Sequence, residues 1–267
     1  MKKAIVALFG VITGCAPEHP ARTPASGNDV DKSPSFFPPP FELRGPIDSV
    51  LRLVGPSATC SGTLIEDDLV LTAHHCVVVR ARTGEFTNEV VPAASMKIEL
   101  GGDTLAWGRV GVRSIVVPPC GESGGPHDVA VLVLERKLTG LHTMRPRLGQ
   151  PPSVGEPLEP AGFGRCGLSS DAVHRSTRLG GVVTAVVPEV FFMQASICPG
   201  DSGGPVFTPG GEEVVGIISL AAMDNDERTR GSAMLTRIDR ARPVVAQARL
   251  IADGTPATEL PPLACEP

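Results

Sequence analysis

The sequence lacks the features that mark several large classes of protein. Its 29 acidic residues outnumber its 24 lysines and arginines, so the formal net charge is −5 and no basic face is indicated. A nucleic acid is therefore not an expected partner. The sequence also contains no internal repeat and no heptad run, which argues against solenoids and coiled coils. With 267 residues, the chain is long enough for one large domain or two small ones.

The N-terminal apolar run is too short to cross a bilayer as a helix of the mature protein. It covers residues 4–12, after Lys2 and Lys3, and so resembles an export signal. The letters "ITGC" that end it are similar to a bacterial lipoprotein signal, where cleavage leaves the cysteine as a lipidated first residue. We predict a lipoprotein signal peptide over residues 1–14 and lipidation of Cys15. The alternative is an ordinary secretory signal that contains a cysteine.

Proline dominates the next segment, and short apolar runs dominate the rest. Eight prolines lie between residues 16 and 46, so this stretch is expected to be stiff and extended, and we predict a tether over residues 15–44. Beyond it, runs such as "LVLTA", "VAVLVLE" and "EVVGIISL" are separated by Gly, Pro, Asp and Asn, which is typical of many short β-strands. Only "DRARPVVAQARLIA" has the spacing of a helix, with Asp239 as its expected N-cap.

Two adjacent histidines precede a cysteine in "VLTAHHC". The longer run "CSGTLIEDDLVLTAHHC" resembles the chymotrypsin-like serine proteases, where this segment ends in a pattern of the type T-A-A-H-C. On this resemblance His75 takes the catalytic position, and His74 takes the position usually held by alanine. A lone histidine beside a cysteine is more often structural or a metal ligand, so the assignment needs further motifs.

The run "ICPGDSGGPVF" is similar to the nucleophile loop of the same family, whose core is G-D-S-G-G-P. The resemblance makes Ser202 the nucleophile. The backbone amides of Gly200 and Ser202 would form the oxyanion hole, where glycine leaves space for the attacked carbonyl. A serine hydroxyl is a weak nucleophile, so it needs a base such as His75.

The third expected member of the site is a buried carboxylate between these two motifs. The run "HDVAVLVLERKL" matches the family's D-I-A-L-L pattern, in which an aspartate opens a strongly apolar strand. Asp128 would accept a hydrogen bond from the imidazole and stabilise the imidazolium. The chain order His75, Asp128, Ser202 is that of the chymotrypsin-like enzymes. A further match, "GIISL", places Ser219 as a support of this aspartate.

The resemblance extends over most of residues 47–251 and implies the fold. It predicts an all-β protein with two six-stranded antiparallel β-barrels of the chymotrypsin-like type and a C-terminal α-helix. The protease domain would span residues 45–267. Its barrels would lie at roughly residues 45–150 and 151–250, with the site between them. The many short strands read independently from the sequence agree with this architecture.

Cysteine usage is consistent with an exported protein, because six cysteines remain when Cys15 is set aside. The family closes a disulfide around its histidine loop with the sixteen-residue separation seen here. The resemblance therefore implies a disulfide between Cys60 and Cys76. The family often pairs the cysteine at the position of Cys198 with one in a later loop, but the loop after Ser219 contains none, so we predict that Cys198 pairs with Cys166, on the loop expected to run beside it. That leaves Cys120 with Cys265, and reduced thiols are the alternative for these four residues.

Two departures from the family pattern affect activation and specificity. No Ile-Val-Gly-Gly start precedes the first strand, so Asp201, which would pair with the new amine of such a start, needs another partner. The floor of the specificity pocket falls on the neutral Ser196, and Ala221 and Ala233 would replace glycines in its walls. A neutral and somewhat narrowed pocket favours small or medium apolar residues before the scissile bond.

Together these motifs predict an exported serine endopeptidase that acts on protein or peptide substrates through an acyl-enzyme, with no metal and no cofactor. A lipid at Cys15 would anchor it to a membrane of the bacterial envelope, at the outer membrane or the cell surface; secretion is the alternative. The alternative function is a catalytically silent homologue that serves as a surface binding module.

Overall fold

The computed structural model of the protein describes residues 45–56, 58–102, 106–121, 127–166, 174–221 and 231–264. The predicted signal peptide, lipidation site and tether lie outside the described residues. Strands account for most of the regular structure. The described residues form sixteen strands: β1 (Val50–Val54), β2 (Thr59–Glu66), β3 (Leu69–Thr72), β4 (Val78–Arg80), β5 (Phe86–Val90), β6 (Lys97–Gly101), β7 (Ala106–Val116), β8 (Ala130–Leu134), β9 (Arg145–Pro146), β10 (Pro157–Gly162), β11 (Ser176–Thr177), β12 (Gly181–Val186), β13 (Val190–Ala195), β14 (Pro205–Phe207), β15 (Glu213–Ala221) and β16 (Gly231–Arg237).

The first six-stranded barrel is closed by hydrogen bonds in the order β1-β2-β3-β8-β7-β6. Its strands pair antiparallel, and β1 closes the circle against β6. All five side chains of β8 are buried, because a large apolar cluster lines one face and the C-terminal helix packs on the strand. β4 and β5 form a separate two-stranded hairpin directly after the histidine motif.

The second barrel follows the order β10-β12-β13-β16-β15-β14 and closes through pairing of β10 with β14. Its own cluster of buried apolar side chains surrounds Phe191, which is fully buried. Branched and aromatic side chains suit such strands because they pack well on a pleated surface. β9 adds a short parallel pairing to β15. The two six-stranded antiparallel barrels expected from the sequence are therefore confirmed.

One α-helix, α1 (Arg242–Ala252), lies at the C-terminal end of the described chain, as predicted. Its buried side chains, including Val244 and Ala248, join the core of the first barrel. The predicted N-cap is wrong: Ala241 occupies that position without a side-chain hydrogen bond, because Asp239 instead pairs with Arg237 at 2.7 Å. No helix among the described residues is both long enough and apolar enough to cross a membrane.

Candidate active site

The pairing of β3 with β8 brings the histidine motif to the predicted aspartate. The two strands are antiparallel and place Thr72 opposite Ala130, so the end of one lies beside the start of the other. His75 lies in the 3-10 turn His74–Cys76 that follows β3, and Asp128 lies two residues before β8. Residues 53 positions apart in sequence therefore become neighbours.

Asp128 holds His75 through two hydrogen bonds. The His75 backbone amide donates to Asp128 Oδ1 at 2.8 Å, and His75 Nδ1 lies 2.7 Å from Oδ2. A carboxylate on Nδ1 fixes the tautomer in which Nδ1 carries the proton, so Nε2 becomes the basic nitrogen. Both side chains are buried.

The hydroxyl of Ser219, on β15 of the second barrel, donates a hydrogen bond of 2.6 Å to Asp128 Oδ2. Burial by itself would raise the pKa of Asp128, but the hydrogen bonds and charge of His75, together with the Ser219 hydroxyl, hold that pKa below its usual value. The carboxyl group is thus kept ionised at neutral pH, as a partner of an imidazolium requires.

Ser202 lies on the turn between β13 and β14, and Ser61 on β2 of the first barrel donates two hydrogen bonds to this turn. The Ser61 amide donates to the Ser202 carbonyl at 2.8 Å, and the Ser61 hydroxyl donates to the Gly200 carbonyl at 2.8 Å. Gly200 has a φ of +105°, a conformation that favours glycine. Within the described part of the chain, neither the Gly200 amide nor the Ser202 amide has a hydrogen-bond acceptor. Both donors remain available to an incoming oxyanion.

A surface cavity of about 230 Å³ joins the predicted base to the predicted nucleophile, since His75, Gly200 and Ser202 all line it. In the described chain no hydrogen bond yet links Ser202 to His75. Catalytic hydrogen bonds of free enzymes are often long and tighten only when substrate binds. The arrangement can therefore supply a base, a nucleophile and two oxyanion donors to one bound carbonyl.

Asp201, whose partner the sequence leaves open, pairs with Arg178. Arg178 Nε lies 2.9 Å from Asp201 Oδ2, and a second guanidinium nitrogen lies 3.0 Å from Oδ1. The amides of Gly164 and Cys198 donate to the same carboxylate at 2.6 and 2.9 Å. Asp201 is fully buried and Arg178 is 6% exposed. A bidentate, permanently charged partner thus compensates the carboxylate that precedes the predicted nucleophile.

Arg178 was not predicted from the sequence as a residue of the site. Three arginines, Arg165, Arg175 and Arg178, follow the "GFG" segment within fourteen residues. Arg175 forms an ion pair with Asp48 at 2.7 Å and not with Asp201. The signal was the missing partner of a buried aspartate, for which arginine is the usual bidentate choice. Nothing in the sequence indicates which arginine reaches it.

Two disulfides brace the site. Cys60 pairs with Cys76 beside the histidine turn, with Cα atoms 6.0 Å apart, and Cys166 pairs with Cys198 at the start of the nucleophile turn, with Cα atoms 5.3 Å apart. Both pairings are those predicted. Cys120 is also disulfide-bonded, but its predicted partner, Cys265, lies outside the described residues, so that pairing stays a prediction. In the described chain, the two clusters of potential metal ligands each contain one of these oxidised pairs.

The predicted specificity residues are only partly described. Ser196 and Ala233 are buried, and Ala221 pairs with Ala233 across β15 and β16. Ser196 and Ala233 are not among the described residues that line the cavity, whereas residues 197–200 and Leu220 are. The Ser196 hydroxyl is buried without a hydrogen-bond partner in the described chain. The pocket assignment stays a prediction.

His74 takes no part in the hydrogen bonds between His75 and Asp128. It is 3% exposed, and its ring packs against Gly121, where a Cβ atom would lie 2.7 Å from Nδ1. Burial lowers the pKa of His74 below its usual value, and the attraction of Asp128 offsets only part of that effect. His74 is therefore a buried side chain that is neutral at pH 7.

Comparison with known proteins identifies the family of the chain. A family model described as Trypsin matches residues 44–245. The chain is 28% identical over 201 residues to the peroxisomal leader peptide-processing protease of Mus musculus, covering 72% of this chain and 33% of that protein. It is 31% identical over 186 residues to serine protease SP24D of Anopheles gambiae, covering 64% of this chain and 65% of that one. The chain thus spans less than two thirds of either relative.

The solved structures include the same fold. Neuropsin, a serine protease expressed in the limbic system of mouse brain, superposes with a TM-score of 0.56 at 18% identity, covering 78% of this chain and 98% of that chain. At that identity the likeness concerns the fold alone.

Proposed function

Because the chain belongs to the trypsin family of serine proteases, we propose that it is a serine endopeptidase whose catalytic triad is Ser202, His75 and Asp128. The observation that carries the proposal is the pair of hydrogen bonds between His75 and Asp128, at 2.7 and 2.8 Å, beside a cavity that Ser202 also lines. These are the contacts that orient a general base toward a serine nucleophile.

The proposed reaction proceeds through an acyl-enzyme. His75 Nε2 takes the proton of the Ser202 hydroxyl as Oγ attacks the scissile carbonyl, and Asp128 stabilises the resulting imidazolium. The amides of Gly200 and Ser202 donate to the oxyanion. The imidazolium then gives its proton to the leaving amine, the C–N bond breaks, and water repeats the sequence to release the acyl group.

Arg178 supports a nucleophile turn that needs no new N-terminus. Its guanidinium already compensates Asp201 by two hydrogen bonds, the task that an activating cleavage would otherwise perform through a new amine. The free amides of Gly200 and Ser202 are consistent with an oxyanion hole formed before substrate arrives. We therefore propose that, once the signal peptide is removed, the chain is active without any further cleavage between Cys15 and β1.

For specificity, we propose small or medium apolar residues before the scissile bond. Ser196 at the predicted floor is neutral, and alanine side chains at positions 221 and 233 would narrow the pocket. A pocket without charge gains little from a basic substrate side chain, which would lose its hydration there.

The test is hydrolysis of such peptides by the purified protein and by Ser202→Ala. We expect the substitution to lower kcat on the order of 10⁶-fold, as in well-measured serine proteases that lose a triad member, while the fold is retained. Far-UV circular dichroism and thermal unfolding provide the control for folding. Unchanged hydrolysis by the folded variant would contradict the proposal.

We also propose that the protein is exported and lipid-anchored at Cys15. All five described cysteines are disulfide-bonded, which is typical of exported proteins. The motif "ITGC" after a short apolar run supports lipidation, and the two or three acyl chains of a lipoprotein hold a membrane stably.

Metabolic labelling with palmitate tests the anchor. We expect the wild type to be labelled and to sediment with membranes, and Cys15→Ser to be unlabelled and unanchored. An unmodified Cys15 in soluble wild-type protein would contradict lipidation without bearing on the catalytic proposal.

A further inference from the structure

The cavity at the site continues beyond His75 to the hairpin formed by β4 and β5. Arg80, at the end of β4, and Phe86, at the start of β5, are paired across this hairpin, and both line the cavity. The guanidinium carbon of Arg80 lies over the Phe86 ring, 4.3 Å from its centroid. Such stacking on an aromatic face orients an arginine while leaving its N–H donors free.

Phe86 also links this arginine to the catalytic base. Its ring centroid lies 5.2 Å from that of His75, with the ring planes tilted by 58°. Because the hairpin begins two residues after the histidine turn and its ring contacts the imidazole, Arg80 has a defined place relative to the reacting atoms.

The charge of Arg80 is not compensated by the described part of the chain. Arg80 is exposed and forms no ion pair with any described residue. Of the described residues that line the cavity, Arg80 has the one permanent charge, and none carries a carboxylate. By contrast, nine other described arginines pair with a carboxylate, namely Arg52, Arg109, Arg145, Arg147, Arg175, Arg178, Arg237, Arg240 and Arg249.

The chemistry of the proposed reaction indicates which part of a substrate would lie near Arg80. The oxyanion donors, Gly200 and Ser202, belong to the second barrel, which would hold the acyl group. The imidazole of His75 must reach the leaving amine to protonate it, so the leaving group lies on the imidazole side of the scissile bond. Arg80 belongs to the hairpin that extends from this side.

We propose that Arg80, stacked on Phe86, binds a carboxylate of the leaving group, so that the enzyme favours substrates with an acidic residue in one of the first two positions after the scissile bond. The proposal rests on the proposed peptidase function. A guanidinium forms its strongest hydrogen bonds with carboxylates, and its fork can grip both oxygens. The carboxylate can come from an acidic side chain or from the free C-terminus of a short product.

Capture of the acyl-enzyme by added amines tests this site separately from the acyl pocket. The full-length protein is acylated with a small apolar p-nitrophenyl ester and offered Ala-Glu-NH2, Glu-Ala-NH2, Ala-Gln-NH2 or Ala-Gln-OH. The ratio of transfer to hydrolysis is then measured for each. We expect up to about fivefold better transfer to an acidic dipeptide than to Ala-Gln-NH2, the factor that corresponds to one ion pair at an exposed arginine.

Arg80→Gln and Arg82→Gln form a matched pair. Each removes one positive charge from an exposed position of the same hairpin, but only Arg80 lines the cavity. We expect Arg80→Gln to abolish the preference and Arg82→Gln to keep it. Better transfer to Ala-Gln-OH than to Ala-Gln-NH2 would support the carboxylate site and assign it to a chain terminus.

Two results would overturn the site: equal transfer to all four dipeptides by the wild type, or equal loss of preference in both variants. The release of p-nitrophenol distinguishes this failure from a failure of the proposed function. Absence of an acylation burst in the wild type contradicts the peptidase assignment, whereas a burst with equal partitioning contradicts only the carboxylate site.

Discussion

Two fully buried aspartates, one at the edge of each barrel, have different partners. Asp128 faces an imidazole, a hydroxyl and one backbone amide. Asp201 faces a guanidinium and two backbone amides. Both satisfy the rule that a buried charge must be paired and hydrogen-bonded.

The difference in partners follows from the role of each carboxylate in the proposed mechanism. In the proposed mechanism Asp128 serves a partner that gains and loses a proton in every cycle, so a titratable imidazole is required. Asp201 has to keep one backbone turn in place throughout the cycle, and an arginine that never loses its charge suits that task. Variants of the two partners should therefore fail in different ways.

Of the two buried aspartate pairs, the one at Asp128 is expected to give the larger loss of activity. Asp128→Asn keeps the shape of the side chain but removes its charge and favours the wrong imidazole tautomer, so kcat should fall on the order of 10⁴-fold with the fold intact. Steady-state hydrolysis of a small apolar peptide measures this. Ser219→Ala, which removes only one donor to the same carboxylate, should cost far less; equal losses in the two variants would contradict the assigned role of Asp128.

A smaller loss of activity, accompanied by a loss of stability, is expected at Arg178. Arg178→Gln leaves Asp201 buried without its counter-charge, which should cost about 3–5 kcal/mol in the free energy of unfolding. Activity should fall on the order of 10²-fold, through kcat, because the oxyanion donors lose their support.

Arg175→Gln is the matched control for this substitution. Arg175 lies three residues before Arg178 in the sequence, and its substitution breaks the ion pair with Asp48 without removing a partner of Asp201. This variant should lose stability but keep its kcat on folded protein. If both variants retain full kcat, the pairing of Arg178 with Asp201 does not maintain the oxyanion hole. Arg178→Lys, which restores charge without the bidentate contact, should recover only part of the activity.

The smallest effect is expected at His74 and concerns pH. Its folded pKa is lower than the unfolded value of about 6.5, so the unfolded chain binds more protons below that pH. This contribution to stability is fully present above about pH 6.5 and decreases as the pH falls toward the folded pKa, by at most about 1.4 kcal/mol per pH unit. Urea unfolding at pH 7.5 and 5.5 measures the decrease.

His74→Ala should show a smaller decrease in stability between these two pH values than the wild type and should retain peptidase activity. His75→Ala, the adjacent control, should lose turnover because the general base is gone. Activity in His75→Ala together with its absence in folded His74→Ala would shift the assignment of the base by one residue.

The sequence predicted the fold and most contacts around Asp128 because those features follow from local motifs. "TAHHC", "HDVAVLVLE" and "GDSGGP" each contain their functional residue inside a recognisable run, and strand pairing brings the runs together. Two of the three predicted cysteine pairs are present, and they were predictable because the family resemblance placed their members on neighbouring loops; the pairing of Cys120 with Cys265 stays a prediction. Arg178 was not predicted, because its role depends on which of three nearby arginines the chain path after β10 carries to a buried aspartate.

The site formed by Arg80 and Phe86 was also not predicted from the sequence. Neither residue belongs to a motif, and their stacking depends on the register of a hairpin that pairs Arg80 with Phe86. A shift of one residue would place the arginine on the other face of the strand pair. Side chains that bind substrate often lie on the loops and hairpins that connect the elements of a rigid scaffold.

Reaction of the purified mature chain with a fluorophosphonate, followed by peptide mass spectrometry, tests the central claim most directly. The reagent labels a serine only when a base and an oxyanion hole are already assembled around it. We predict stoichiometric labelling of Ser202 on a chain that is intact from Cys15 to β1, with no label on Ser202→Ala. A wild-type chain that stays unlabelled, or that reacts only after cleavage between Cys15 and β1, would contradict an active site held ready by Asp128 and Arg178.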